Sequence, residues 1–365
     1  MIDYMDYEYI QRGKASVLVD GQFGSTGKGL LAAYLAEQPQ NKVDIAVTNA
    51  SANAGHWTKY EDKKKDFCCF HMPTFGVVQT DCEIYLDAGA IIDPPKLFEE
   101  LDVLGIDFNR VTIHPNAAII GPLDKVQEQG ADSGATGIAS TQKGVGSALA
   151  GKISRVPGHV AKDCPELARF IGTINLNKRL RGGDRVSIEV PQGYSLSIHS
   201  QFYPHTTSRQ CTVAQALADA QLSPRFLGKV AMSMRTYPIR VGHIYDEHGD
   251  IIGHSGPVYH DQIETNFADL GVPEEMTTVT GRVRRVFTWS WDQFSESVYE
   301  NQPDLLFLNF VNYMKNDDLA NIVNHIGPWY RRAMGKGNEP VMLYGHGPKV
   351  EDVTLSIFRK DSKRE

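Results

Sequence analysis

The residues best suited to chemistry come early in the chain. Asp20-Gly21-Gln22-Phe23-Gly24-Ser25-Thr26-Gly27-Lys28-Gly29 follows a short apolar run directly. Glycines let successive backbone N–H groups turn toward one anion, and a helix starting behind them adds its positive end. Lys28 contributes a point charge that suits a phosphate. The spacing is not that of a Walker A loop: Gln22 stands where GxxxxGK needs its first glycine, and Gly29 replaces the Ser or Thr. The chemistry on offer is therefore phosphate binding by a loop of its own kind.

Such a loop needs a strand before it and a helix behind it. The run 16–20 reads as the strand and 28–37 as the helix. Further buried strands are expected at 44–48, 84–86, 111–113, 186–190, 304–310 and 341–343, with helices at 95–104, 165–171, 213–220, 291–300 and 318–325. This alternation predicts an α/β fold with a mostly parallel central sheet flanked by helices. The small, glycine-rich stretch 130–147 and the poorly periodic stretch 240–283 are expected to be large loop insertions. With no internal repeat or separable linker, residues 15–365 read as one catalytic domain and 1–14 as an N-terminal extension.

Composition narrows the field. The 365 residues are 41% hydrophobic and 22% charged, as in an ordinary soluble protein, and no apolar run is long enough to span a membrane. A net charge of −7 argues against diffuse nucleic-acid binding while leaving room for a local phosphate site. The first residues carry no basic and apolar leader pattern, and the five cysteines contain no CxxC pair, which points to reduced thiols in a cytoplasm.

Several segments, in order, resemble adenylosuccinate synthetases. That family has a GDEGKG loop followed by NAGHT, and here Gly24–Gly29 is followed by Asn53-Ala54-Gly55-His56. Ser140-Thr141-Gln142-Lys143-Gly144-Val145-Gly146 resembles the TTGRGIG loop, with Arg155 where an arginine follows it. Pro191-Gln192-Gly193 is similar to AQG, and Tyr203-Pro204-His205-Thr206-Thr207-Ser208 to YPYVTSS. Arg240-Val241-Gly242 matches RVG, Thr280-Gly281-Arg282-Val283-Arg284-Arg285 resembles TGRRRR, and Gly347-Pro348 matches a late GP.

The resemblance implies a P-loop-related fold and a carbon–nitrogen ligase acting in two steps: a triphosphate's γ-phosphoryl goes to a purine O6, then aspartate's amine displaces phosphate at C6. It implies that Gly24, Ser25, Thr26, Gly27, Lys28, Gly29, Gly55, His56, Thr58, Arg284, Asn309 or Asn312, Gly347 and Pro348 hold the triphosphate. Mg²⁺ would lie against Ser25 and the Gly55 carbonyl. The purine nucleotide would meet Ser25, Asn53, Ala54, Ser140, Thr141, Gln192, Thr207, Val241 and Gly242, with Gln192 at O6. Arg155 would arrive from the second subunit of a homodimer. Thr278, Val279, Thr280, Gly281 and Arg282 would bind aspartate, although Val279 replaces the family's threonine. Ser25, Lys28, His56 and Gln192 are the implied catalytic set, with His56 as general acid.

Two departures direct the choice of substrates. Ser25 replaces the loop aspartate, and Leu308-Asn309-Phe310-Val311 replaces the guanine-reading TKLD. Together with FGSTGKGL and VRRVF they resemble the bacteriophage branch of the family, which acts on dGMP and serves diaminopurine deoxynucleotide synthesis. The expected substrates are then dGMP, L-aspartate and ATP or dATP, in a host cytoplasm. Serine is no base at neutral pH without an activating partner, so the group that takes the N1 proton is unassigned; the substrate aspartate's carboxylate is one candidate. An ordinary synthetase using IMP and GTP, and a nucleotide-switch binding protein with a degenerate phosphate loop, are the alternatives.

Overall fold

The computed structural model describes residues 7–60, 66–130, 134–277, 281–335 and 339–357. Its centre is a nine-stranded sheet. In chain order the strands are β1 (Ala15–Asp20), β2 (Ile45–Thr48), β5 (Glu83–Leu86), β6 (Val111–Ile113), β7 (Val186–Glu189), β8 (Leu227–Arg235), β9 (Leu305–Asn309), β10 (Val341–Gly345) and β11 (Val353–Thr354). A small hairpin, β3 (His56–Thr58) with β4 (Phe67–Cys69), lies between β2 and β5. The sheet order is β11-β10-β9-β8-β1-β7-β2-β5-β6, and every pairing is parallel except β10 with β11.

β1 is the middle strand and is buried along its whole length, as expected of a parallel strand covered on both faces. One face packs Val17, Val19, Val47 and Ile188 against α5 (Val213–Asp219), α6 (Trp291–Asn301) and α7 (Asn316–Met334). The other packs Leu18, Ala46 and Phe307 against α1 (Lys28–Glu37). The second face also takes in Tyr9 and Ile10, both fully buried, whose amides donate to Asn41 Oδ1 at 2.8 and 3.1 Å. Residues 7–14 are thus continuous with the core, and no break in packing falls at residue 14.

Three sequence expectations need correction. The segment 165–171 forms a 3₁₀ helix, Pro165–Phe170, rather than an α-helix. The helix expected at 318–325 extends over Asn316–Met334 with Pro328 inside it. The stretch 240–283 carries short antiparallel strands, among them Ile244–Tyr245 with Ile251–Gly253. Missing from the sequence reading were β8, at nine residues a long central strand, and the helices α3 (Pro122–Gln129) and α4 (Val145–Ile153), which flank the glycine-rich stretch.

Candidate active site

The loop after β1 is built around one carboxylate. Asp20 is 1% exposed; its Oδ1 accepts from the amides of Gln22 (2.8 Å) and Gly24 (3.2 Å), and its Oδ2 from Thr26 Oγ1 (2.5 Å) and Lys28 Nζ (3.3 Å). Sequence reasoning missed this role, although an acid at the end of a strand and the start of a glycine loop is a usable signal. Lys28 also donates to Gln192 O at 2.5 Å. The loop from β1 and the turn after β7 are therefore latched together. They pack so closely that a Cβ on Gly193 would meet Gly24 N at 2.2 Å and Gln22 O at 2.4 Å, so only glycine fits there. Gln192 itself takes φ 65° and Ser25 φ 56°, left-handed conformations that non-glycine residues adopt at a cost.

A cavity of about 950 Å³ opens above these loops. Its wall includes Gly24, Ser25, Thr26, Gly27, Lys28, Gly29, Asn53, Ala54, Gly55, His56, Ser140, Thr141, Gln192, Thr207, Val241, Arg284, Asn309 and Pro348. The motifs that are dispersed in sequence are thus brought to one place. Seven expected residues stand outside the wall: Thr58, Arg155, Gly242, Gly281, Arg282, Asn312 and Gly347. Thr278, Val279 and Thr280 lie outside the described residues.

Gln192 Nε2 donates to Asn53 Oδ1 at 2.7 Å, and Ser51 Oγ donates to the same oxygen at 2.7 Å. The latch thereby extends from the phosphate loop through Gln192 to Asn53. His56 Nδ1 is 3.9 Å from Glu189 Oε2, a buried oxygen with no hydrogen-bond partner among the described residues. Burial and then the Lys28 ammonium hold the imidazole down to about 3. The resting ring is neutral, so the expected general acid is, before ligands bind, a neutral hydrogen-bonding group.

Two of the expected groups are engaged within the protein itself or stand away from the cavity. Asn309 Nδ2 donates to Thr26 O at 3.1 Å and its Oδ1 accepts from Phe310 N at 2.8 Å, while Asn312 is exposed and away from the cavity. Neither amide is free at the wall to read a base; Asn309 braces the phosphate loop. Arg282 donates to the carbonyls of Gly242 (3.1 Å), Ala139 (3.0 Å) and Ser140 (3.3 Å), so its guanidinium ties two loops together where a carboxylate clamp was expected.

A buried cation supports the same loop from behind. Arg235, at the end of β8, has a fully buried side chain that donates to Glu275 at 3.0 and 2.5 Å and to Ser25 O at 3.2 Å, and stacks 3.8 Å from the Phe310 ring centroid. Removing one partner of a buried pair leaves the other uncompensated. Arg235→Ala is therefore expected to cost about 3–5 kcal/mol in urea unfolding; a loss under about 1 kcal/mol would mean the pair contributes little.

The donors also suit Mg²⁺. Among the described residues no group of three or more His, Cys, Asp or Glu could hold a metal by itself. Ser25 and Gly55 nevertheless line the cavity, and a hydroxyl and a backbone carbonyl are hard oxygens of the kind that complete a Mg²⁺ shell made mostly of phosphate oxygens and water.

A glycine-rich phosphate loop at the C-terminal end of a central parallel strand, facing a second loop from the adjacent strand, defines an α/β enzyme that binds nucleotide at its strand ends. The family model of adenylosuccinate synthetase matches residues 17–174 and 166–323. The N6-succino-2-amino-2'-deoxyadenylate synthase of Salmonella phage PMBT28 is 37% identical over 94% of this chain and 98% of its own. The adenylosuccinate synthetase of Thermococcus onnurineus is 32% identical over 95% and 98%. The solved cyanophage S-2L succinoaminodeoxyadenylate synthetase (PurZ), bound to dGMP and dATP as an energy donor, has a TM-score of 0.79 at 35% identity, covering 93% of this chain and 95% of its own. This chain belongs to the adenylosuccinate synthetase family, and it is a carbon–nitrogen ligase.

Proposed function

We propose that the chain condenses L-aspartate with dGMP, with ATP or dATP as phosphoryl donor and Mg²⁺ as the metal, giving 2-amino-2'-deoxy-N6-succinyladenylate, phosphate and ADP or dADP. The observation that carries this reading is Ser25: it is exposed at the cavity, at the loop position where the family's IMP enzymes have aspartate. Its smaller side chain leaves room beside the purine N1 edge, where guanine carries a 2-amino group and hypoxanthine none.

In the first step O6 bonds to the γ-phosphorus, the bond to the β-phosphate oxygen breaks and the N1 proton leaves. In the second, the aspartate amine attacks C6, phosphate departs and the amine loses a proton. Amides of Ser25–Gly29 and the Lys28 ammonium hold the triphosphate, and the Gln192 amide orients O6. Ser25 and Gly55 would hold Mg²⁺, which would neutralise phosphate charge. Negative charge beside His56 raises its proton affinity again, which lets it donate to the phosphoryl oxygens. Glu128 and Glu275, the acids at the wall, are occupied by the amides of Gly144 and Gly146 and by Arg235. The carboxylate of bound aspartate is then the acceptor we assign for the N1 proton.

The donor follows from the other end of the cavity. No unoccupied carboxylate stands among the described wall residues to accept from guanine N1–H and N2–H. An adenine nucleotide fits such a wall better. Arg155, exposed beyond α4 and outside the cavity, acts in the neighbouring subunit of a homodimer; the exposed side chains of Leu123, Val126, Ile153 and Val156 on and after α3 and α4 offer apolar area for that contact. The five free cysteines suit a reducing cytoplasm, and no helix among the described residues is long and apolar enough to cross a membrane.

Turnover of dGMP and IMP, each with ATP, dATP and GTP, tests substrate and donor together. The expected result is a kcat/KM for dGMP about 10²-fold above IMP, and either adenine nucleotide outperforming GTP. IMP equal to dGMP would return the chain to the ordinary synthetase reaction.

A further inference from the structure

Two side chains on and just after β3, Trp57 and Lys59, are not used by the reaction above. Thr58 is fully buried and donates to Gly29 O at 3.3 Å. The carbonyl of Trp57 lies against Gly29, where an added Cβ would meet it at 2.8 Å. These contacts lay β3 across the first turn of α1, beside the phosphate loop. Side chains alternate along a strand, so with Thr58 turned inward, Trp57 and Lys59 face outward; both reach the cavity wall. Lys59 bridges to Lys349, and its carbonyl accepts from Val350 N at 2.9 Å, which brings Pro348 alongside. Trp57, Lys59 and Pro348 therefore lie on one stretch of the wall, beside the phosphate loop.

Among the described residues the indole makes no ring contact or side-chain hydrogen bond that would account for its place. Trp57 is 51% exposed, whereas Trp289, Trp291 and Trp329 pack together with ring centroids 5.4–5.6 Å apart, outside the cavity wall. Lys59 makes no ion pair among the described residues. We propose that Trp57 is the stacking surface for the purine of the triphosphate, and that Lys59 is a cation for its phosphates. The proposal rests on the cavity being a purine-triphosphate site, but not on which purine. Every base has a π-face, so stacking adds affinity without choosing among bases.

The test is binding of dATP, GTP and inorganic triphosphate, each with Mg²⁺, to the full-length protein by calorimetry and tryptophan emission. Trp57→Leu is expected to weaken dATP and GTP by a similar factor, about five- to a hundredfold, to leave inorganic triphosphate within about twofold, and to remove most of the emission change that dATP causes. Trp57→Phe should recover most of the affinity. Lys59→Met should weaken dATP and inorganic triphosphate alike. Unchanged dATP affinity in Trp57→Leu overturns the proposal, as does an equal loss for inorganic triphosphate, which would mean that the hairpin had collapsed. If the wild-type protein prefers GTP and Trp57→Leu weakens GTP and dATP by a similar factor, the adenine reading falls and the stacking role stands; a loss confined to one purine overturns the stacking role. Wild-type protein that binds no purine triphosphate overturns both.

Discussion

Lys28→Ala is expected to lower kcat/KM by about 10²–10³-fold while the protein remains folded. Removing one preorganised group from a charge-stabilising site has that order of effect. The fold should persist because Asp20 keeps three donors, the amides of Gln22 and Gly24 and the hydroxyl of Thr26. Lys28 also has a part that a lysine in a simple phosphate loop lacks. In the resting protein its Nζ is turned down, onto Asp20 and Gln192 O. A γ-phosphate that draws the ammonium upward is expected to loosen its bond to Gln192, and Gln192 in turn holds Asn53. Triphosphate binding and the setting of the purine site are therefore expected to be coupled: dGMP should bind more tightly with a non-hydrolysable adenine triphosphate present, and Lys28→Ala should abolish that difference. Unchanged coupling in the variant, or turnover within about tenfold of wild type, would leave the latch without a role.

The second large effect concerns Arg155. It sits just past α4 with φ 58° and an exposed side chain, and it does not line its own chain's cavity. Arg155→Ala is expected to raise the KM for dGMP about tenfold or more, the cost of a lost charge-assisted contact to phosphate, with little change in Tm because the residue is exposed. Refolding it together with Lys28→Ala should restore part of the activity, since a mixed dimer contains one site with both residues intact. Activity that never exceeds that of the separate variants would exclude a role across subunits.

Where chemistry depends on backbone geometry, the site was legible. The first glycine loop was readable from its own residue types, and most of the residues that the family resemblance added to it meet at one cavity. Side chains that support the loops were not legible. Arg235 looks like an ordinary strand-end residue until its partner, Glu275, comes beside it from elsewhere in the chain. β8 escaped for the same reason: LGKVAMSMR has no continuous β-branched run, and its Ser233 and Arg235 read as solvent-facing. Both are fully buried, because Ser233 lies 2.5 Å from the Thr26 hydroxyl and Arg235 pairs with Glu275. Asn309 was misleading in the opposite way. Its type suits base recognition, but its amide is spent on the loop backbone.

The place of β1 in the sheet bears on how the chain comes into being. Both neighbours of this first strand arrive late: β7 begins at Val186 and β8 at Leu227. At roughly 5–20 residues per second, on the order of ten seconds or more of ribosomal synthesis separates β1 from either partner. Throughout that time its apolar faces and unpaired edges are open to other chains, and loop closure over such separations is slow even afterwards. Asn309, which braces the phosphate loop from β9, is made later still. A nucleotide ligand cannot assist the nascent chain through this interval, because the surface it recognises forms only when the last central strands dock. Rescue of yield is therefore expected from slower translation or chaperone capacity rather than from added substrate.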